Sequence, residues 1–493
     1  MNLSLISLEI WVVVLGLVLL LADFWMPAER RRFLGYGAIA ALMMLLVTNL
    51  GDCATGTAFN GMFVEDGLAV FFKRFFIVAA ILVLFMSVEF SDPGCAGGFA
   101  EASRIASGIS EYYSLVVFAL SGMLFAASAN NFAMLFVSIE LITVTFYVLT
   151  SFQRNRLVSL EAGVKYLILG ALSSAFMVYG IALVWGTTGK LNFNELALVA
   201  SQFAGNKIFL LGIVLVLVGL GFKIAAFPFQ IWAPDVYQGA PTPTTAFLAV
   251  GSKAAGFVLL LRVLFTAIPS VSAHWANPLI IISGITILYG NLCALPQRNL
   301  KRLLGYSSIA HAGYLLLGVA ALSASGQAAI LYYLSGYLFT VLGAFTVIVL
   351  VMRHLDSEDI SGLAGLNQRS PLLASTLALA LVSLAGIPPL AGFFGKILLL
   401  KAVIQQAQVT ANHGYYCLAF TALAGVVISL YYYFGVIRAI YWSKDAPADS
   451  SPILLSGPAK VTLATCIAGM FWIGLFPNTV LNLATEAVKA LKM

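Results

Sequence analysis

Charge is scarce in this chain. Only 9% of its 493 residues are Asp, Glu, Lys or Arg, 61% are hydrophobic, and the mean hydropathy of +0.99 lies far above that of soluble globular domains. Cysteine is sparse as well: Cys53, Cys95, Cys293, Cys417 and Cys466 stand far apart, with no CxxC and no Cys/His pair at metal-ligand spacing. Neither a disulfide framework nor a metal or iron–sulfur site is indicated. There is no Gly-rich phosphate loop and no segment long enough for a soluble domain. The longest connections, roughly Ser91 to Glu111 and His354 to Pro371, read as surface loops. With no residues suited to holding a redox cofactor, electron chemistry by this chain alone is excluded. The net charge of +6 does not point to nucleic acid, because the basic residues are scattered singly or in threes between apolar segments.

What the chain does have is apolar length. Fourteen runs of about 20 residues, the length that crosses the hydrocarbon core, centre near Val14, Leu42, Ala80, Ala119, Ile139, Ser174, Val216, Ala254, Ile285, Leu315, Thr340, Leu379, Gly425 and Met470. The fold class is therefore an all-α polytopic membrane protein. The first run, Ile6 to Trp25, has no basic residues before it and is followed by Glu29-Arg30-Arg31-Arg32, which favours an uncleaved span over a signal peptide.

Lysine and arginine placement orients the spans. With the N-terminus outside, one side receives fifteen basic residues: Arg30, Arg31, Arg32, Arg104, Arg154, Arg156, Lys165, Arg298, Lys301, Arg302, Arg353, Arg369, Arg438, Lys444 and Lys460. The other side receives eight: Lys73, Arg74, Lys190, Lys207, Arg262, Lys401, Lys489 and Lys492. The bias predicts that both termini face away from the cytoplasm. Three of the chain's 26 basic residues remain, Lys223, Lys253 and Lys396, and all three fall inside spans. A lysine at mid-membrane depth costs roughly 2.5–3.5 kcal/mol even on the lenient insertion scale, so position alone marks these three as functional candidates.

Two of the three accompany helix breaks. Lys223 precedes Pro228 by five residues in the seventh span, and Pro388-Pro389 precede Lys396 by seven in the twelfth. A proline lacks the N–H and its ring conflicts with the carbonyl four residues back. Pro228 thus frees the carbonyl of Ile224, and Pro388 and Pro389 free those of Leu384 and Ala385. Two broken spans, each with a buried lysine and an odd number of spans apart, predict internal repeats of opposite orientation. The expected division is an N-terminal three-helix segment (1–111), a first repeat of spans four to eight (112–267), an inverted second repeat of spans nine to thirteen (275–443) and a C-terminal helix (444–493). Between Pro228 and Lys253, the stretch Ala233 to Thr245 reads as a polar loop.

Other residues could share the chemistry. Glu140, near the centre of the fifth span, is either a packing carboxylate or the partner of Lys223; such a pair is worth roughly 4 kcal/mol at 4 Å and an effective dielectric near 20. Loosening it would favour the neutral amine, so a change of geometry becomes proton release. Lys253 lies among small residues that leave room for water. Lys396 is a terminal exit residue or a lysine reaching for the interface. His311, in the tenth span, is a packing residue or a relay between Lys253 and Lys396. Lys165, near the start of the sixth span, is a proton-uptake residue or a topology anchor. Tyr431-Tyr432-Tyr433 reads as belt or packing and is given no chemistry.

The segment FKIAAFPFQIWAPDVYQGAPTPTTAFLAVGSKAAGF, with FVSIELIT before it and GYSSIAHAGY and SLAGIPPLAGFFGK after it, resembles the antiporter-like membrane subunits of respiratory complex I, the NADH-quinone oxidoreductase. The resemblance covers nearly the whole chain. It implies two inverted five-helix units, a proton route along the membrane mid-plane through Glu140, Lys223, Lys253 and Lys396, and a sixth-span lysine matching Lys165. It further implies a bacterial inner-membrane location, partners such as the antiporter-like subunit M and the small subunit K, and flavin and iron–sulfur clusters held by other subunits, with no cofactor here. One departure is visible: the position after FPF, often histidine in the family, is Gln230, which cannot titrate in this range. The rival reading is a subunit of a multi-subunit sodium/proton antiporter of the same fold. Sodium prefers oxygen ligands, and central residues that are mostly lysine favour protons.

Overall fold

The computed structural model describes residues 3–27, 30–51, 55–90, 108–352, 358–442 and 452–491. Cys53, Cys95, Glu29, Arg104, Arg353, Lys444, Lys492 and most of the expected loop from Ser91 to Glu111 lie outside them. Among the described residues twelve helices are long and apolar enough to cross a membrane, and two shorter apolar ones, Arg32–Thr48 and Pro371–Ala385, accompany them. All fourteen expected centres fall within these helices.

The helices used below are α1 (Ser7–Ala22), α2 (Arg32–Thr48), α3 (Gly67–Phe90), α4 (Ile109–Ala127), α5 (Phe132–Thr150), α6 (Leu157–Thr188), α7 (Phe193–Val199), α8 (Lys207–Ile224) and α9 (Trp232–Gly239). They continue with α10 (Thr242–Ala267), α11 (Ser272–Ala294), α12 (Leu300–Ala320), α13 (Ala324–Val351), α14 (Pro371–Ala385), α15 (Ala391–Thr410) and α16 (His413–Trp442). A two-stranded hairpin, β1 (Gly56–Ala58) and β2 (Phe63–Glu65), precedes α3. Helices suit this chain because a lipid-facing backbone must satisfy its own polar groups. Side chains complete the open N-terminal turns: Asn131, Asn192, Asn206 and Asn299 accept from the amides of α5, α7, α8 and α12.

Both proline breaks interrupt helices. α8 ends at Ile224 with Ala225 left-handed (φ 57°), and α14 ends at Ala385 with Gly386 left-handed (φ 86°); the Phe227–Pro228 and Pro388–Pro389 peptides are cis. The expected polar loop from Ala233 to Thr245 is instead two helical segments, α9 and the start of α10. Its prolines misled because Pro234 and Pro243 lie in first turns, where a missing N–H has no intrahelical partner to lose.

The core is built around α10, which is buried along its whole length and contains two π-helical turns, Leu248–Ser252 and Val263–Ala267. α11 and α12 cross so closely that a Cβ on Gly290 would stand 2.4 Å from the Ala310 amide nitrogen. That approach lets α12 reach the centre of the fold.

Five of the basic residues assigned to the two sides anchor ion pairs near helix ends. In one group Arg156, Lys301 and Asn299 converge on Glu358, while Lys165 and Arg302 hold Asp235. In the other, Arg262 clasps Asp66 and Asn192 binds the hairpin at Gly61. Burial opposes the charge on Glu358, but Lys301, Asn299 and Arg156 outweigh it and hold its pKa below the ordinary 4.5. A carboxylate with a depressed folded pKa stabilises above that ordinary value and loses the contribution as pH falls through the folded one. Glu358→Ala takes the carboxylate away from Lys301, only 1% exposed, and should destabilise the subunit by roughly 3 kcal/mol. Thermal unfolding at neutral pH is the measurement, and the gap between wild type and variant should narrow in acid.

Candidate functional site

Six of the seven buried lysines and arginines among the described residues divide by the company they keep. Lys73, Arg262 and Lys301, assigned by sequence to the two sides, are 1%, 2% and 1% exposed, so burial is not confined to the three residues left over from the topology count. Each of these has a carboxylate: Glu9 and Glu65, Asp66, and Glu358 respectively. Lys223, Lys253 and Lys396, at 3%, 2% and 5% exposure, bond only to hydroxyl and carbonyl oxygens. A charge buried without a countercharge is costly, so these three are where a proton is held least firmly by geometry.

Lys223 lies in the last turn of α8 and donates to Thr143 Oγ1 at 2.6 Å. The expected contact with Glu140 is absent from the described ion pairs. Glu140 lies three residues before Thr143 on α5 and accepts from Ser174 Oγ of α6. The two charges interact across a gap and do not touch. Thr143 donates its own hydrogen bond to the Ile139 carbonyl at 2.6 Å, leaving an oxygen lone pair to accept from the lysine. At the break, Trp232 Nε1 caps the Phe222 carbonyl at 3.0 Å and the Phe227 amide donates to Thr286 Oγ1 at 3.1 Å. Gln230 is buried with its Oε1 unpartnered among the described residues.

Lys253 follows the first π turn of α10 and donates to the Ser308 carbonyl of α12 at 2.6 Å and also to Ser308 Oγ. That hydroxyl also meets Tyr237 at 3.0 Å and Tyr337 at 3.2 Å. Beside it, Ser307, Ser308 and Tyr337 help line a cavity with about 10 Å³ of space for water centres, roughly what one water requires.

Helical periodicity makes α12 a bridge. Ser307 and Ser308, His311 and Tyr314 recur every three to four residues and share one face. His311 contacts Tyr333 OH through Nδ1 and Tyr433 OH through Nε2 at 3.1 Å, and Tyr433 in turn meets Ser307 Oγ. The Tyr314 ring lies beneath Lys396, its centroid 4.9 Å from Nζ. Lys396 donates to the carbonyls of Leu384 and Ala385 at 2.8 and 2.9 Å, the two that the double proline frees at the end of α14. In place of a carboxylate, Lys396 has a helix C-terminus, whose partial negative charge favours a cation.

Several of these partners escaped the sequence. Tyr433 was assigned no chemistry, yet its hydroxyl holds His311; consecutive helical residues point about 100° apart, so Tyr431 faces outward, Tyr432 reaches Asn291 at 2.9 Å and Tyr433 faces the core. Thr143, Ser174, Tyr237, Tyr333 and Tyr337 carried no signal beyond being polar in apolar runs. Ser307 and Ser308 stand in the same YSSIAHAGY stretch that yielded His311. Lys165 is apart from the lysine set, half-exposed at the end of the fold and paired with Glu161 and Asp235 at 2.7 Å each. No cluster of three His, Cys, Asp or Glu able to hold a metal occurs among the described residues.

Comparison with known proteins agrees with this geometry. Residues 129–421 match the family described as NADH:quinone oxidoreductase/Mrp antiporter, TM. The NADH-quinone oxidoreductase subunit N of Desulforamulus reducens is 38% identical over 490 residues, covering 99% of this chain and 98% of its own. The chain belongs to the subunit N family. The motif WAPDVYQGAPTP, a lysine at position 396 and fourteen apolar runs point the same way. A chain in the structure of respiratory complex I from Thermus thermophilus with bound aureothin is 31% identical and superposes with a TM-score of 0.77 over 97% of this chain and 99% of that one. A chain of the Mrp complex from Dietzia, 19% identical, superposes at 0.83 over 100% of this chain and 98% of its own. At that identity the likeness is one of fold.

Proposed function

We propose that this chain is a proton-translocating membrane-arm subunit of an NADH-quinone oxidoreductase, moving protons along Glu140, Lys223, Lys253, His311 and Lys396 while quinone is reduced elsewhere in the complex. The observation that carries the reading is the set of three buried lysines with no carboxylate in contact, two joined by the hydroxyl and imidazole face of α12. Such lysines are costly as packing elements and suited to proton relay. In the arrangement described, Lys223 and Glu140 stand apart. Bringing them together would favour the ammonium, and separating them would pass its proton toward Ser308 and His311.

Glu140 is only half-buried, on a face where Val137 and Val144 of α5 are exposed. A neighbouring subunit packed there can change the field at Glu140, which fits a small membrane partner such as subunit K on this side; the antiporter-like subunit M is the second partner in this reading. Flavin and iron–sulfur centres belong to other subunits in this reading. Lys165, with Asp235 and Arg302, forms a surface ion-pair network suited to proton uptake. The two repeats are spans four to eight (112–267) and nine to thirteen (275–443), flanked by the segments 1–111 and 444–493; the described part of the latter holds two helices, Gly457–Leu475 and Pro477–Val488, where one was expected. In this reading, which the bias of basic residues supports, the Glu358 end faces the cytoplasm and both termini lie outside, in a bacterial inner membrane.

Purifying the native assembly tests the reading. The expected result is co-purification with flavin and iron–sulfur subunits, and proton uptake by vesicles driven by NADH and quinone. An assembly of antiporter subunits alone, exchanging sodium for protons without electron transfer, would overturn it. A finer test is Tyr433→Phe: with one hydrogen bond to His311 gone, proton transfer should slow severalfold while assembly is unchanged, as read by proton pumping against complex content.

A further inference from the structure

The most unusual electrostatic feature outside the lysine axis lies where α1, the hairpin and α3 meet. Lys73 of α3 ion-pairs with two carboxylates at once, Glu65 of β2 and Glu9 of α1. Glu9 is fully buried, Lys73 is 1% exposed and Glu65 is 6% exposed. Ser128, just past α4, donates to Glu65 at 3.3 Å. Glu9 Oε1 stands 2.5 Å from the Lys73 ammonium but off the line of a hydrogen bond, and Glu9 Oε2 has no hydrogen-bond partner among the described residues. Beneath the ammonium lies the Phe63 ring, 4.8 Å from Nζ, within an apolar cluster with Leu5, Ile6 and Ala58. The next charges along the chain are already matched: Asp66 is held by both terminal nitrogens of Arg262, at 2.8 and 3.0 Å.

The arithmetic of charge is decisive here. With all groups ionised, two carboxylates and one ammonium leave a net charge of −1 in a pocket that water barely reaches. Two carboxylates that share one site do not both ionise readily, and one retains a proton. Ser128 and Phe63 bring no positive charge to offset the second carboxylate. We infer that Glu9, Glu65 and Lys73 form a separate proton-binding site, remote from the lysine axis, which holds one proton between its two carboxylates. The proton exchanges with water at the hairpin end, where Glu65 keeps its slight exposure; one O–H bond forms on uptake and breaks on release. Burial raises the Glu65 pKa against the lowering effect of Lys73, in keeping with a carboxyl that stays protonated above the ordinary carboxylate range. This inference rests on the pocket alone and not on the route assigned to Lys223, Lys253 and Lys396.

Infrared spectroscopy of the purified complex tests it. In the wild type, a deuterium-sensitive carboxylic acid band should be present at neutral pH and disappear as pH rises. Glu9→Gln and Glu65→Gln should each remove one carboxylic acid equivalent, because the remaining carboxylate then pairs one-to-one with Lys73. A band unchanged in both variants would overturn the inference. If neither variant assembles, the wild-type complex is treated with a hydrophobic carbodiimide, which attacks protonated carboxyls, and its peptides are mapped by mass. An adduct on Glu9 or Glu65 whose yield falls with rising pH supports the site; modification of neither, across the pH range, contradicts it.

Discussion

Lys223→Ala in the assembled complex is expected to lower coupled proton pumping at least about tenfold, the change that about 1.4 kcal/mol of added barrier produces. The side chain joins α8 to α5 by one hydrogen bond to Thr143 and feels Glu140 from a distance. Alanine removes the buried amine at the first break. Thr143 keeps its bond to the Ile139 carbonyl, so no hydroxyl is left unsatisfied and the loss should be kinetic. Pumping per assembled complex, measured in vesicles, separates this from a loss of assembly. Glu140→Gln should give a smaller decrease, because Ser174 can still bond to the amide while the field on Lys223 vanishes.

The second large effect is expected at Lys396. Its amine holds two carbonyls at the end of α14, and a Cβ on Gly386 would stand 2.9 Å from Lys396 Cδ, so the cradle is closely fitted to an unbranched chain. Lys396→Ala leaves those carbonyls unpaired in a buried place, which costs roughly 1–3 kcal/mol each unless water enters. Both stability and pumping should fall. Lys396→Arg separates the two consequences. The guanidinium can still donate to the carbonyls, but it does not release its proton near neutral pH. Stability should largely return while pumping stays at least about tenfold down; recovery of both would mean that Lys396 serves as a helix cap alone.

Fold class was legible because apolar length is a coarse signal that survives local error, and the breaks because proline acts on a known carbonyl. The double proline marked the carbonyls of Leu384 and Ala385 as freed, but that Lys396 would be their donor emerged only from the fold. What stayed hidden depends on which helices meet. Lys73 and Lys301 looked like topology signals because Glu9 and Glu358 come from distant elements, and because Glu65, only eight residues before Lys73, reaches it by way of the hairpin. Ser308, Tyr237 and Tyr337 are unremarkable in sequence and converge only because the tight α11–α12 crossing carries α12 to the centre. Direct pairing of Glu140 with Lys223 followed from charge alone, whereas α5 presents Thr143 to the lysine and turns Glu140 toward α6.

The central claim is that these lysines act by gaining and losing a proton and that fixed positive charge does not suffice. The proton-to-electron ratio of the complex carrying Lys223→Arg, reconstituted in vesicles and driven by NADH and quinone, tests it most directly. Arginine preserves the charge and a donor toward Thr143 but cannot deprotonate in this range. The account predicts a ratio below that of the wild type, or loss of coupled turnover altogether. A wild-type ratio at a wild-type rate would contradict it.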